Sequence, residues 1–118
     1  MDAKPVTVSY WREKDILLVK LAARPAKVDV NRFDFMTRYD EETDAIVGFE
    51  IMDFGERFIP HLYEPDAIPA EALELRFEVP EGGLHGVDLR DVLEWAYSRY
   101  CACHLPVHQP PVEAMAAA

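Results

Sequence analysis

The stretch "YDEETDAIVGFEIMDF", Tyr39 to Phe54, decides how the first half of the chain is read. It gathers acidic side chains at Asp40, Glu41, Glu42 and Asp44, then places Val47, Phe49 and Ile51 at every second position. Successive side chains of a strand point to opposite faces, so this period of two marks a strand with one apolar face. A calcium loop of the EF-hand type beginning at Asp40 needs Gly at its sixth place and Glu at its twelfth. The chain has Ala45 and Ile51 there. The acidic residues are therefore read as a solvated hairpin turn, which asks only for small polar residues that tolerate turn conformations.

Upstream, "VTVSYW" (Val6 to Trp11) alternates, "REKD" (Arg12 to Asp15) is a charged turn, and "ILLVKLA" sets Leu17, Val19 and Leu21 on one face. The two strands make a hairpin. In "VDVNRFDFMTRY" the parity of Val28 and Val30 differs from that of Phe33 and Phe35, which predicts a bulge or break at Asn31 and Arg32. Downstream, Pro60, Pro65 and Pro69 predict a surface connection over 55–72, with one short extended piece from Arg57 to Leu62. "LELRFEV" (Leu73 to Val79) alternates as a one-sided strand in need of a sheet edge. After the loop "PEGGLHG", "VDLRDVLEWAYSRYCA" predicts a helix: Asp88 stands as N-cap, Val87 and Val92 as a hydrophobic staple, and Leu89, Leu93, Ala96, Tyr97 and Cys101 recur on one stripe.

The fold class that follows is α+β, a mainly antiparallel β-meander of about five strands with one C-terminal amphipathic helix. Residues 1–105 are read as a single domain: a meander over 6–54, the Pro-rich connection over 55–72, and a strand plus helix over 73–103. Residues 106–118, with Pro106, Pro110 and Pro111, are expected to be extended or disordered.

The chain has 118 residues, with 22 acidic against 12 basic side chains and a formal charge of -10. This balance argues against direct nucleic-acid binding, which relies on clustered Lys and Arg, and it suits a basic protein partner. No apolar run approaches the roughly 20 residues that span a bilayer, and the N-terminus shows no leader pattern. The expected location is the cytoplasm. Cys101 and Cys103 are too close in sequence for a secretory disulfide framework.

The first half resembles a family of small, mostly prokaryotic proteins, the domain of unknown function 2283. The likeness covers roughly residues 6–54 and is carried by Tyr10 and Trp11, by Asp15 leading into "ILLVKL", by Tyr39 and Asp40, and by "VGFEIMD" from Val47 to Asp53. The family usually has Gly in the turn before the last of these strands, where this chain has Thr43, Asp44 and Ala45. The resemblance implies a compact β-meander with no assigned activity. Some members are suspected to pair with small toxin-like proteins, which implies an antitoxin-like role.

Three sets of residues are candidates for chemistry or recognition. Glu50 falls among apolar residues; buried, it needs a cation, with Arg38, Arg12 or Lys20 as cross-strand candidates. Cys103, His104 and His108 are the densest group of soft ligands and define a zinc alternative, although the usual two-residue gap between paired thiolates is missing. Trp11 and Trp95 are candidate interface anchors. No coherent catalytic set emerges, and no cofactor is called for. The sequence thus reads as a non-enzymatic protein-interaction or regulatory module that pairs with a protein partner or with itself; the alternative is a metal-binding protein or metal-dependent enzyme using the C-terminal Cys and His residues.

Overall fold

Residues 7–51 build a five-stranded antiparallel sheet in the computed structural model, which describes residues 3–104 and side chains as far as residue 102. Its strands are β2 (Thr7–Trp11), β3 (Ile16–Lys20), β4 (Ala26–Val30), β5 (Phe35–Asp40) and β6 (Ile46–Ile51), arranged in the order β2-β3-β6-β5-β4. The α+β class holds, with α2 (Leu89–His104) as the C-terminal helix. The order differs from consecutive pairing, however, because β3 neighbours β6 and β4 lies at the far edge.

The sequence contains the reason. In β6 the run Val47, Gly48, Phe49 is buried throughout, Gly48 by the close approach of β3, so this strand belongs between two neighbours. β4, "AKVDV", follows Pro25 and interleaves Lys27 and Asp29 with its valines, a pattern suited to an edge. The chain crosses from β3 to that edge over the end of β6, where the N–H groups of Leu21 and Ala22 donate to the Val47 carbonyl at 2.9 and 3.2 Å. The expected break between Asn31 and Arg32 is a helical turn over Arg32–Asp34, with Phe33 and Asp34 both at positive φ (58° and 59°).

A second sheet departs more from expectation. It contains β1 (Lys4–Pro5), β7 (Phe77–Val79) and β8 (Leu84–Val87), with β1 parallel to β7 and β7 antiparallel to β8. The expected strand over 73–79 thus shrinks to three residues, because Ala70–Leu73 forms the short helix α1. Part of the expected Gly-rich loop becomes β8.

The Pro-rich connection is also corrected. It is no extended surface loop but a π turn over Phe54–Phe58 followed by a 3-10 turn over Ile59–His61, with Pro60 in its first turn, where a missing N–H costs nothing. Phe54, Phe58, Leu62, Ala67 and Ile68 are buried in the core. There Phe58 meets Phe35 (ring centroids 5.7 Å apart), Phe35 meets Phe49 (5.6 Å) and Phe49 meets Phe77 (6.3 Å). Each fully buried Phe contributes about 2–3 kcal/mol of transfer free energy. Leu89, Val92, Leu93 and Ala96 of α2 complete this cluster, so the helix buries its stripe within its own chain. Asp88 caps the helix as expected, its Oδ1 accepting from the Asp91 N–H at 2.9 Å.

One buried carboxylate joins these parts. Asp15, at positive φ (57°) in the β2–β3 turn, accepts from the Gly55 N–H at 2.9 Å, from the Glu56 N–H at 3.1 Å and from the Tyr10 hydroxyl. Its carbonyl accepts from the Phe54 N–H at 2.9 Å. Burial first, and then the bond to Asp15, push the Tyr10 phenol well above its ordinary pKa. Asp15→Ala would strand two backbone donors at the start of the π turn and is expected to cost about 2–4 kcal/mol. Tyr10→Phe, which leaves both donors served, should cost about 1 kcal/mol. Urea unfolding of both variants checks the order, and equal losses would show that the carboxylate does not hold the turn.

Candidate interaction surface

Paired residues of adjacent strands share a face, so the registers sort the large sheet into two sides. The inner side carries the rank Tyr10, Leu17, Ile51 and Phe35, all packed in the core. The outer side carries the rank Ser9, Leu18, Glu50, Met36 and Val30, beside which run Lys20, Gly48, Arg38 and Val28. Trp11, opposite Ile16, closes one corner.

The core and everything from Phe54 to Ala96 that joins it lie on the inner side. Of the four most exposed large hydrophobic residues among the described residues, Trp11 (54%), Val28 (41%) and Val30 (63%) stand on the outer side, and the fourth, Tyr63 (69%), lies in the connection with Arg90 5.1 Å from its ring. Leu18 and Met36 between them are only half-buried. In the middle lies one ion pair, Arg38 Nη1 to Glu50 Oε1 at 3.6 Å. Arg38 is one of the cations expected for Glu50. Its stem passes over Gly48, where a Cβ would stand 2.8 Å from the Val19 carbonyl oxygen and 3.7 Å from Arg38 Cδ. Glycine is thus required for the close approach of β3 and leaves room for the arginine.

The other candidates fall elsewhere. Trp95 is half-buried, packed against Gly82, with Arg99 5.4 Å from its ring. Its contacts are those of a loop cover rather than of an anchor beside Trp11. Cys103 and His104 end α2 with side chains outside the described residues, and His108 lies outside them altogether. Among the described residues no group of three His, Cys, Asp or Glu side chains is placed to hold a metal. His85 is exposed, 3.6 Å from Glu78.

His61 shows a constellation the sequence did not signal. Its ring stacks on Phe33 (4.3 Å, 4°), its Nδ1 meets the Glu64 carboxylate, and Arg32 covers Phe33 at 4.7 Å while donating to the Pro65 carbonyl at 3.0 Å. These contacts fasten the 32–34 turn to 61–65 across 28 residues of chain or more. The outer-face hydrophobes were legible in part: "ILLVK" is apolar at four successive positions, more than one covered face needs.

The acidic turn is built around Asp40, which is buried rather than solvated. Its Oδ1 accepts from the N–H groups of Glu42 (2.8 Å) and Thr43 (3.3 Å), and Arg24 binds its other oxygen. Lys27 pairs with Asp44 at 2.5 Å. The Glu42 N–H, followed by the Arg24 guanidinium, holds the Asp40 carboxyl below its ordinary value of 3.8. A lowered folded value means the stabilisation is complete above the ordinary value and is lost as pH falls through the lowered one. The difference in thermal midpoint between wild type and Asp40→Asn is therefore expected to hold steady from neutral pH to about pH 5 and to shrink below about pH 4. A difference that grew on acidification would contradict this account. Comparison of the chain with protein-family models, with curated proteins and with solved structures returns no match.

Proposed function

We propose that this chain is a non-enzymatic protein-interaction module that works through the outer face of its five-stranded sheet. The observation that carries the reading is the concentration of exposed Trp11, Val28 and Val30 on one side, around half-buried Leu18 and Met36. Exposed apolar residues gathered on one face are the physical signature of a surface that loses water on association, whereas singly scattered ones carry no such meaning. Aromatic anchors and arginine are the residue types that dominate binding energy, and Trp11 and Arg38 supply both.

An antitoxin-like role in the cytoplasm, which the motif likeness of residues 6–54 to the domain of unknown function 2283 implies, belongs to this proposal; no family-model match accompanies that likeness. The buried carboxylates argue in the same direction. Asp15 and Asp40 spend their oxygens on backbone N–H groups and on Tyr10 or Arg24, so they serve the turns that shape the sheet.

Full-length wild type, Leu18→Asp and Val30→Glu, used as baits at equal concentration, test the reading. Val30 is on an edge strand and largely exposed, so its substitution should leave the thermal midpoint within about 0.5 kcal/mol of wild type in stability terms. Proteins retained by wild type, the untagged chain included, should be lost from both variants. Retention that survives both substitutions would reject the outer face as the binding surface.

A further inference from the structure

Resting on that reading, we propose that the occupant of the outer sheet face is a second copy of this chain, packed face to face about a two-fold axis. The first argument is the ion pair in the centre of the face. Any partner that covers Arg38 and Glu50 removes both from water, and buried charges are tolerated only when their remaining hydrogen-bonding capacity is met. At 3.6 Å the pair is not closely engaged within one copy. A second copy related by a two-fold axis that lies in the interface plane, passes between the two side chains and runs across the line joining them brings a Glu50 to each Arg38 and an Arg38 to each Glu50. Four charges then form a closed ring, ringed in turn by Leu18, Met36, Val28 and Val30.

The second argument is the placement of net charge. Residues 1–50 hold 10 acidic and eight basic side chains, whereas residues 51–104 hold 11 acidic and only four basic ones. The elements of the latter segment pack on the inner side of the sheet, so most of the excess negative charge stands away from the outer face. Two copies meeting outer face to outer face keep the segment 51–104 of each on the far side of its own sheet, which separates those charges and lets salt screen them over a Debye length of about 8 Å. Contact through any face built from 51–104 would bring them together.

The size of the face sets the strength. Five strands at about 4.8 Å spacing and five residues at about 3.3 Å rise give roughly 400 Å² on each copy, about half of the ~800 Å² per partner of a standard interface. The association is accordingly weak and reversible, with sheets stacked about 10 Å apart as in a sandwich.

Sedimentation velocity of the full chain from about 10 to 500 μM tests the proposal, with Arg38→Glu, Glu50→Arg and Val30→Glu as variants. Wild type should rise from 13.5 kDa toward twice that mass with concentration. Each variant alone should stay monomeric, and an equimolar mixture of Arg38→Glu with Glu50→Arg should recover the dimer, since every cross-copy contact again joins opposite charges. A wild type that stays at 13.5 kDa throughout overturns the second-copy assignment, as does a dimer indifferent to all three substitutions. If the chain is monomeric yet still retains other proteins in a manner abolished by Val30→Glu, the interaction reading stands and only the occupant is wrong. If neither association depends on Val30, both readings fall.

Discussion

The Asp15 carboxylate is the constraint on which the rest of the structure depends. It lies where the first hairpin turns, yet it serves the N–H groups of Gly55 and Glu56, some 40 residues along the chain. A buried unpaired carboxylate is expensive, and so are two buried N–H groups without acceptors; each cancels the cost of the other. The cancellation happens in only one arrangement, with the end of β6 brought back against the β2–β3 turn. That arrangement places β6 beside β3, and the strand order follows from it. The tight contacts a Cβ at Gly55 would make, 3.3 Å to Asp15 and 3.4 Å to Tyr97, show how closely the carboxylate, the turn and α2 are fitted.

From this junction the two sides of the large sheet acquire different fates. The π turn enters the core immediately after the junction and delivers Phe54 and Phe58 to the inner side, where Phe77 and the stripe of α2 join them. Among the described residues, the elements that follow β6 are thereby spent on one side. The outer side keeps its valines, Trp11 and the Arg38–Glu50 pair uncovered. Its openness results from connectivity, since the described elements that follow β6 join the core on the inner side.

The parts of the fold legible in the sequence are those governed by neighbours along the chain. Alternation in "VTVSYW" and "VGFEI" identified strands, the parity change at Asn31 marked a bulge or break where the structure has a full reversal between β4 and β5, and Asp88 identified the start of α2. Strand order was less legible, because the carboxylate bond that determines it joins residues 40 apart and leaves no periodic trace. The prolines of the connection misled for a definite reason: Pro60 lies in the first turn of a helical segment, where it is tolerated, and the pattern of Phe54, Phe58 and Leu62 at four-residue spacing is a helical signal that outweighed it. As for the surface, Glu50 and Trp11 were visible as misfits on their strands and Leu18 only through the unbroken apolar run of "ILLVK", while Met36 and Val30 were not. In a strand, an apolar residue on the open side looks the same as one on the covered side until the layers are known.

The large sheet is complete at residue 51, and the side chains that shield its inner side all come afterwards. During synthesis, therefore, all five strands can emerge and pair while Phe35, Phe49 and Ile51 still face water. Among the described residues the partner strand of Lys4 and Pro5 begins at Phe77, so this pair waits until that segment has emerged. Long-range pairings of this kind form late, and half-shielded sheets are prone to aggregate in the meantime. The order of elements along the chain consequently imposes an interval of vulnerability on the nascent protein, which closes only when α2 docks.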